Sequence, residues 1–458
     1  MESSSKNQER EKVIKIKTFT IPSSLGEIKE NIIINTDTSS KHSKEEEIYQ
    51  VSKLHSQENK LEAANYYNSL INQGSNDYRV FSNYGVILKD LGKLKEAEIT
   101  LRKAIKLNPH NPKDYKNLGS ILVNQGQLKE ALIEVEKAIK INPNYEKAHL
   151  NLGVILRYNG QIKEAELSFR KALEIKPDYA DAHYNLGIIL KDSGRSKEAE
   201  LSFQKAIKIK PNWEASFLYS SILFDKKDFD GSLSNLQRIK SSVTSGNLKT
   251  VQAAITAINL TKKKSLNKNQ LDSSKTSKLL KEEKFNRLIL KRPVEKELLS
   301  YLYKLNTILL DNTDPNDSRY GKGLCSDFNL FEDNSQIIRK LESDLIEISK
   351  RSLNKKKLII TDSFFNIFIS GSGSRRHHHI GKQDMNFGLY FHKYSLVYYL
   401  DIGDQTSQNP GVLKLYNPDE EILPSNDMII ILNSTKLHSV SYVGKKDRVM
   451  VGINFYAF

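Results

Sequence analysis

The sequence predicts two folds in one chain: an all-α repeat solenoid, then an α+β domain whose strands form an antiparallel sandwich or barrel. In the first half, a set of small and polar residues recurs every 34 positions, which indicates stacked helix–turn–helix units. The last third contains short strand-like runs separated by Gly, Pro, Asn and Asp. The chain has 458 residues, enough for two or three such domains.

Composition excludes several classes of protein. The apolar runs are far shorter than a membrane-spanning helix requires, and no secretory signal pattern opens the sequence. The single cysteine, Cys325, excludes a disulfide scaffold and fits a reducing compartment. We therefore expect a cytoplasmic protein with no membrane contact. Residues 1–44 are rich in Lys, Ser and Asn without periodicity, which predicts a disordered leader.

Four markers share the 34-residue register from about residue 78 to residue 213. They are an Asn two residues before a Gly, a Glu-Ala pair, a later Ala, and a Pro. In order, they fall at Asn83, Asn117, Asn151 and Asn185; at Ala97, Ala131, Ala165 and Ala199; at Ala104, Ala138, Ala172 and Ala206; and at Pro109, Pro143, Pro177 and Pro211. Degenerate units on both sides extend the predicted solenoid to residues 45–245, since end repeats diverge where they cap a stack.

Each marker has a structural reason. The Gly after each Asn and the Ala of each Glu-Ala pair are small because two helices cross there. Gly92, Gly126, Gly160 and Gly194 lie between the helices, where a left-handed conformation ends the first helix. The prolines end the second helix or open the next one. This pattern resembles the tetratricopeptide repeat, in the form that reads A-x-x-N-L-G in bacteria. The resemblance implies a solenoid that binds a protein or peptide on its concave face.

The Asn column, defined as Asn83, Asn117, Asn151 and Asn185, lies on the first helix of each unit. Helix interiors do not favour Asn, so four in register need an explanation. The family resemblance implies a ladder that pairs with the backbone of an extended peptide, because a carboxamide both donates and accepts. The alternative is a structural role, in which each Asn bridges neighbouring helices. Sequence does not separate the two.

Much of the net charge of +15 comes from the stretch after the repeats. Residues 246–284 are rich in Lys, Ser and Asn and include Lys262-Lys263-Lys264. This composition predicts a solvated basic linker. Nucleic-acid binding is not favoured, because no aromatic residue is interleaved with the basic residues between Lys262 and Lys284.

Residues 285–458 form the predicted α+β domain. Helical periodicity covers residues 294–310 and 334–352. Strand patterns follow at residues 358–360, 364–369, 396–402, 412–416, 428–432, 437–442 and 449–455. In the last strand, alternation places Arg448 and Met450 on one face, toward the interior, and Val449 and Val451 on the other, beneath the helices.

Three histidines and one arginine in this domain are candidate site residues. His377 and His379 follow a Gly-Ser turn, His438 lies 59 residues beyond His379, and Arg448 lies ten residues after His438. This order resembles the 2-oxoglutarate/Fe(II)-dependent oxygenases, whose fold is a double-stranded β-helix, or jelly roll. The resemblance covers about residues 363–458. It implies that His377, His379 and His438 hold Fe(II), and that Arg448 binds the cosubstrate 2-oxoglutarate.

One position departs from the family pattern. His379 stands where the family has Asp or Glu, so the ligand set lacks one negative charge. Asp384 and His392 are nearby alternative ligands. A solvated basic loop around His377 to His379, with His438 as an ordinary strand residue, is the structural alternative.

The sequence therefore predicts an oxygenase that hydroxylates a protein or peptide bound by the repeats. Two alternatives stay open. One is a non-catalytic repeat adaptor with a decayed or structural jelly roll. The other is a metal-binding barrel of another dioxygenase or sugar-isomerase type, which would not need Arg448.

Overall fold

The computed structural model describes residues 59–268, 287–310, 319–320, 323–405 and 411–458. The predicted leader 1–44 lies outside the described residues, as does the second half of the predicted linker. The chain divides into two compact units, Met1–Thr100 and Leu101–Phe458.

Paired helices fill the first half, as the repeat predicts. In chain order they are α1 (Lys60–Asn72), α2 (Tyr78–Asp90), α3 (Leu94–Leu107), α4 (Pro112–Asn124), α5 (Leu128–Ile141), α6 (Glu146–Tyr158), α7 (Ile162–Ile175), α8 (Ala180–Asp192), α9 (Ser196–Ile209), α10 (Trp213–Asp225), α11 (Phe229–Ile239) and α12 (Ser245–Lys268). None of the helices in the described ranges is both long and apolar enough to cross a membrane.

The small residues have the predicted structural roles. Gly92, Gly126, Gly160 and Gly194 have φ between 75° and 77°, a left-handed conformation that only glycine adopts at little cost. Within the second compact unit, Gly153 and Ala165 are buried where α6 crosses α7. A Cβ atom added at Gly153 would lie 2.5 Å from the ring of Phe169. The small residues of the repeat signature are thus required by the packing of the two helices in each repeat. In the first compact unit, Ala63, Ala64 and Tyr67 pack against Val80 and Ile87.

Part of the predicted basic linker is helical. Residues 245–268 form α12, because Val251, Ala254 and Ile258 share one helical face and are fully buried. The Lys triplet follows this face and lies in the last two turns. Composition alone predicts a solvated segment here, but the apolar face overrides the local charge.

The strand-rich region begins with β1 (Arg287–Lys291), α13 (Lys296–Leu302), β2 (Ile308–Leu310), β3 (Arg319–Tyr320) and β4 (Gly323–Cys325). It continues with α14 (Gln336–Leu353), β5 (Leu358–Phe368), β6 (Gly373–His377), the 3-10 segment Lys382–His392, β7 (Lys393–Asp401), β8 (Leu413–Leu415), β9 (Glu420–Ile422), β10 (Met428–Asn433), β11 (His438–Ser441) and β12 (Arg448–Ala457).

The strands form two antiparallel sheets. The larger has the order β1-β10-β7-β12-β5-β4-β2, and the smaller has the order β3-β6-β11-β8-β9. Strand β12 is buried along its whole length between β5 and β7. Its Val449 and Val451 pack beneath α13 and α14, whereas Met450 packs with Leu413 and Val440 of the smaller sheet. The predicted division of this strand into two faces is confirmed.

The early part of this region differs from the predicted pattern. Residues 294–310 read as one helix, but α13 ends at Leu302 and residues 308–310 form the edge strand β2. The short strands β1, β4, β6 and β9 have no clear alternation in the sequence. They form because their backbone groups make hydrogen bonds to a neighbouring strand, which depends on the tertiary structure and not on the local sequence.

One apolar core joins the last repeat helices to the sheets, and we call it the shared core. It contains Phe217 and Leu236 from the repeats, Val251 from α12, and Ile359 and Phe387 from the strand-rich region. The ring of Phe387 lies 5.1 Å from that of Phe217 and 5.5 Å from that of Phe224. Beside it, Lys191 Nζ donates to Asn386 Oδ1 at 3.1 Å. The 3-10 segment that follows the histidines is therefore packed against the end of the solenoid.

The helix crossing predicts a specific sensitivity at Gly153. Gly153→Ala should lower the free energy of unfolding by about 1–3 kcal/mol, because the new methyl group overlaps the buried Phe169 ring. Gly246→Ala is the control: it is also helical, and nothing lies within 4 Å of its added Cβ atom. Urea unfolding of both variants measures the difference. Equal effects would show that the crossing does not constrain this position.

Candidate functional site

Three histidines meet at one end of the smaller sheet, and we call them the His cluster. His377 ends β6, His438 begins β11, and the two face each other in the antiparallel register. His379 lies two residues beyond β6 and is held by a hydrogen bond from its backbone N–H to the Ser434 carbonyl, 3.1 Å. The ligand-type nitrogens of all three lie within 4.8 Å of one another. The predicted histidines are therefore brought together.

Backbone carbonyls orient two of these rings. His377 Nδ1 lies 2.7 Å from the Arg375 carbonyl oxygen, and His438 Nδ1 lies 3.0 Å from that of Lys436. An Nδ1–H that donates to a carbonyl leaves the lone pair of Nε2 free. His379 Nε2 lies 3.3 Å from His438 Nε2. Two acceptor nitrogens thus converge with the ring of the third histidine, a donor set that suits a divalent transition metal.

Burial keeps these imidazoles neutral. Loss of solvent lowers the pKa of His379 to about 2 and the pKa of His438 to about 4, and it also lowers the pKa of His377. The mutual proximity of the rings lowers the pKa of His379 and His438 further. A neutral imidazole is the form that binds a metal ion. At neutral pH, protons therefore compete little for these nitrogens.

The other possible metal ligands near these histidines in the sequence do not join the His cluster. His378 is exposed, as alternation along the strand predicts. Asp384 is buried and accepts hydrogen bonds from Lys393 Nζ at 2.8 Å and from the Tyr456 hydroxyl. The ring of His392 packs against that of Phe458, with centroids 4.8 Å apart and the ring planes tilted by 35°. Among the described residues, the group of metal-ligand type contains neither Asp384 nor His392.

Arg448 is fully buried at the start of β12. Its guanidinium donates to the Gly411 carbonyl at 3.0 Å and to the Gln405 side chain, and it lies 4.4 Å from the ring centroid of Tyr442. A longer contact of 3.4 Å reaches the carbonyl of Ser441 at the end of β11. Burial lowers the pKa of the guanidinium below its usual value, although arginine still keeps its charge.

Three polar atoms in the interior around Arg448 have no hydrogen-bond partner among the described residues. They are Arg448 Nε, the Tyr399 hydroxyl and Asn366 Oδ1, all in buried side chains. Tyr399 and Asn366 both pair with Met450 in the register, one on each side of β12. Buried polar groups without partners are costly and usually indicate a ligand or water. Sequence reasoning missed Asn366, although one Asn between Phe365 and Ile367 on a buried strand is a detectable signal.

Side chains of the Asn column have different partners. Asn151 Nδ2 donates to Ser120 Oγ at 2.7 Å and to the Lys116 carbonyl at 3.3 Å, both on α4 of the preceding repeat. Asn83 Nδ2 donates to the Tyr67 hydroxyl on α1 at 3.0 Å. Asn185 Nδ2 donates within its own helix to the Asp181 carbonyl at 2.8 Å, and Asn117 accepts from Lys116 Nζ. Some members of the column therefore bridge helices and others do not, and its peptide-binding role stays a prediction.

Comparisons with known proteins support the repeat half. Models described as TPR repeat or tetratricopeptide repeat match residues 78–111, 100–133, 119–156, 155–194 and 180–212. The helical half therefore contains tetratricopeptide repeats, which mediate protein interactions as a class. A search of curated proteins finds no match to the chain.

Several solved repeat proteins resemble this chain in part. YrrB, described as a TPR protein with an unusual peptide-binding site, is 27% identical over 39% of this chain and 90% of its own, with TM-score 0.31. PilF of Pseudomonas aeruginosa is 17% identical over 42% of this chain and 89% of its own, with TM-score 0.39. A thermophilic TPR protein of Thermus thermophilus is 19% identical over 40% of this chain and 99% of its own, with TM-score 0.35.

The different hydrogen bonds in the Asn column predict that Ala substitutions there lower the free energy of unfolding by different amounts. Asn151→Ala should lower the free energy of unfolding by about 1 kcal/mol more than Asn185→Ala, because Asn151 bonds to another repeat and Asn185 bonds within its own helix. The change in helix propensity is the same at both positions and cancels in the comparison. Chemical denaturation measures both variants. If both retain full stability, the bridging role fails and the peptide-ladder interpretation gains support.

Proposed function

We propose that the strand-rich region is a jelly-roll, 2-oxoglutarate/Fe(II)-dependent oxygenase, which hydroxylates a protein or peptide held by the repeats. One observation carries the proposal: the His cluster and a buried arginine, Arg448, lie at the two ends of one short strand, β11. The two antiparallel sheets support the jelly-roll assignment, since their inner faces share a core.

The donor set fits Fe(II) with one departure. His377, His379 and His438 would hold the ion from one side and leave coordination positions open on the other. Without a carboxylate the three ligands carry no negative charge, so we expect weaker retention of the ion than in a His-His-carboxylate site. The hydrogen bonds from His377 and His438 to backbone carbonyls would fix the orientation of their rings.

The interior around Arg448 fits the cosubstrate. Strand β11 rises about 3.3 Å per residue, so the carbonyl of Ser441 lies about 10 Å from His438 along the strand. A five-carbon dicarboxylate can span this interval, with its keto acid at the His cluster and its distal carboxylate at Arg448. The planar guanidinium can then form two parallel hydrogen bonds to that carboxylate. The Tyr399 hydroxyl and the Asn366 amide oxygen, which have no hydrogen-bond partner among the residues described, would face the same ligand.

Bound Fe(II) would supply oxidative chemistry, in which dioxygen converts 2-oxoglutarate to succinate and carbon dioxide and hydroxylates the partner. The protein's own residues would bind, orient and exclude water. The apolar inner face around Leu413, Val440 and Met450 would keep the interior dry, which strengthens the ion pair between Arg448 and the carboxylate.

The repeats would bind the protein or peptide that the strand-rich region hydroxylates. The shared core packs the last repeat helices against the 3-10 segment, which begins three residues after His379. A partner bound on the solenoid would therefore be held near the site on a packed support. A non-catalytic adaptor is the second candidate, favoured by the match of the repeats alone to known families.

An anaerobic titration separates these functions. Full-length protein is mixed with Fe(II), then with 2-oxoglutarate, while visible absorption is followed for a metal-to-ligand charge-transfer band. An oxygenase gives the band only when both are present. Metal binding without a cosubstrate effect indicates another type of metal barrel. If neither binds, the adaptor function stands and the oxygenase proposal is rejected.

The departure at His379 gives a sharp prediction. His379→Asp should bind Fe(II) more tightly, because it restores one negative charge beside a divalent cation. His379→Ala should bind it more weakly, and His378→Ala should match the parent, since His378 is exposed. Competition with a chromogenic chelator measures all three. Parental affinity in both His377→Ala and His438→Ala would exclude the site.

Arg448→Lys tests the cosubstrate pocket separately. A point charge cannot reproduce the bidentate contact, so 2-oxoglutarate affinity should fall by about 10-fold or more, while Fe(II) affinity stays unchanged. Isothermal titration of the Fe(II)-loaded protein measures this. Equal 2-oxoglutarate affinity in variant and parent would make Arg448 a structural residue.

A further inference from the structure

Asp384 is the least exposed carboxylate among the described residues of the strand-rich region, yet it lies outside the His cluster. Its exposed fraction is 2%. Oδ1 accepts a hydrogen bond from the Tyr456 hydroxyl. Oδ2 accepts two, from the Gly381 N–H at 2.6 Å and from Lys393 Nζ at 2.8 Å. Three donors from separate parts of the fold therefore meet at this one side chain.

Two of these contacts belong to a closed ring of hydrogen bonds around His379, which we call the His379 brace. The Lys393 side chain reaches Gly381 through Asp384. The Lys393 carbonyl accepts from the Ser434 N–H at 3.0 Å, and the Ser434 carbonyl accepts from the His379 N–H at 3.1 Å. One residue separates the two points at which the brace holds the loop. The backbone of His379 therefore cannot shift without breaking one of these contacts.

His379 is the member of the His cluster that most needs such support. His377 ends β6 and His438 begins β11, and the antiparallel register sets the positions of both. His379 lies two residues beyond the end of β6, so strand pairing does not determine its place. The brace holds the loop at His379 and again at Gly381, which supplies the constraint that the sheet does not.

The brace is also attached to the shared core. Tyr456, which donates to Asp384, lies on β12, and the Thr250 side chain of α12 lies beside its hydroxyl. The ring of Tyr456 belongs to the shared core, together with Val251 of α12 and Leu389 of the 3-10 segment. Asp384 is therefore held through one oxygen by the core at the end of the solenoid, while its other oxygen holds the loop of His379.

Stability alone does not explain an ion pair as buried as Asp384 and Lys393. The exposed fractions of the two side chains are 3% and 12%, so both charges have lost most of their water. Replacing such a pair by apolar residues of similar volume is often neutral or stabilising. A carboxylate suits this position because its two oxygens accept several hydrogen bonds at once. The arrangement thus favours precise placement over maximal stability.

We propose that Asp384 is a positioning residue for the metal site: through the His379 brace it fixes the backbone of His379, so that the imidazole of His379 meets those of His377 and His438. The inference rests on the metal site of the proposed function. It gives the buried carboxylate a role that does not require contact with the ion. It also makes the end of the solenoid part of the support of the site, because Tyr456 joins the brace to the shared core.

Hydrogen–deuterium exchange of the full, metal-free chain tests the positioning directly. In Asp384→Asn, one amide oxygen replaces two carboxylate oxygens, so the three donors can no longer all be satisfied. Peptides that contain His379 and Gly381 should then exchange at least about 10-fold faster than in the parent. Tyr456→Phe keeps the ion pair and detaches the brace from β12, so it should accelerate exchange of the same peptides by a smaller factor.

A destabilised control separates positioning from a general loss of stability. Leu298→Ala opens a cavity beneath α13 and leaves the brace intact. A merely structural role of Asp384 predicts that Asp384→Asn and Leu298→Ala give the same exchange pattern, spread over the strand-rich region. The proposal predicts a local change around His379 in Asp384→Asn. If neither Asp384→Asn nor Tyr456→Phe accelerates this segment beyond Leu298→Ala, the proposal is overturned.

Co(II) tests the consequence at the metal site, since its visible absorption reports the geometry of its ligands. Competition with a chromogenic chelator should show about 10-fold weaker Co(II) binding in Asp384→Asn, with altered bands at saturation. Glu421→Gln removes the same charge from an exposed pair with Lys414 and should match the parent. Parental affinity and bands in Asp384→Asn would contradict the proposal. A parent that binds no Co(II) would reject the metal site of the proposed function, and the exchange data would still decide whether Asp384 positions His379.

Discussion

Burial of both faces of β12 is the constraint on which the strand-rich region depends. All ten residues of this strand are buried, so it must find apolar cover above and below at once. Helices α13 and α14 cover the Val449 face, and the smaller sheet covers the Met450 face. Strand β12 lies between β5 and β7 at the centre of the larger sheet, so the covers of its two faces form the core of this region.

That constraint also explains why the interior is polar at one end. Arg448 begins the strand on the face that looks toward the smaller sheet, so its charge is carried into the interior by alternation alone. A buried charge is expensive unless it has partners. Here the partners are the Gly411 carbonyl and the Gln405 side chain, with a longer contact to the Ser441 carbonyl, while Nε has no partner within the part of the chain that the structure describes. Gly411 has no room for a Cβ atom, because the guanidinium lies against it.

Such incomplete satisfaction in an otherwise apolar core is typical of binding sites, where stability is traded for function. On the same inner face, the Tyr399 hydroxyl and the Asn366 amide oxygen find no hydrogen-bond partner in the described ranges. In an apolar barrel of purely structural function, Phe and Leu would fill these positions without an unpaired polar atom. The polar interior and the His cluster therefore both support a binding site in the strand-rich region.

The last repeat helices, α10 and α11, are joined to the strand-rich region by packing and not only by chain connectivity. Phe387 has φ of 57°, a conformation that is unfavourable for a bulky residue. The surrounding aromatic rings of Phe217 and Phe224 hold it there. Because the same short segment leads back to His379, the histidines are supported by the end of the solenoid as well as by their own sheet.

The sequence by itself determined the elements whose cause is local or periodic. The 34-residue register specifies the helix pairs, because each marker reports a crossing or a left-handed turn within one repeat. The alternation in β12 specifies its two faces. The spacing of His377, His379 and His438 is sufficient to suggest a site, since the strand pattern gives the direction of each side chain.

Only the tertiary structure decided what depends on distant residues. Whether α12 is a helix or a linker depends on the core that receives Val251, and residues 308–310 become a strand because β4 offers an edge. Asp384 is one of the nearby carboxylates in the sequence, yet Lys393 and Tyr456 bind it instead. Local propensity describes a segment in isolation, whereas hydrogen bonds and burial are set by partners that the segment does not contain.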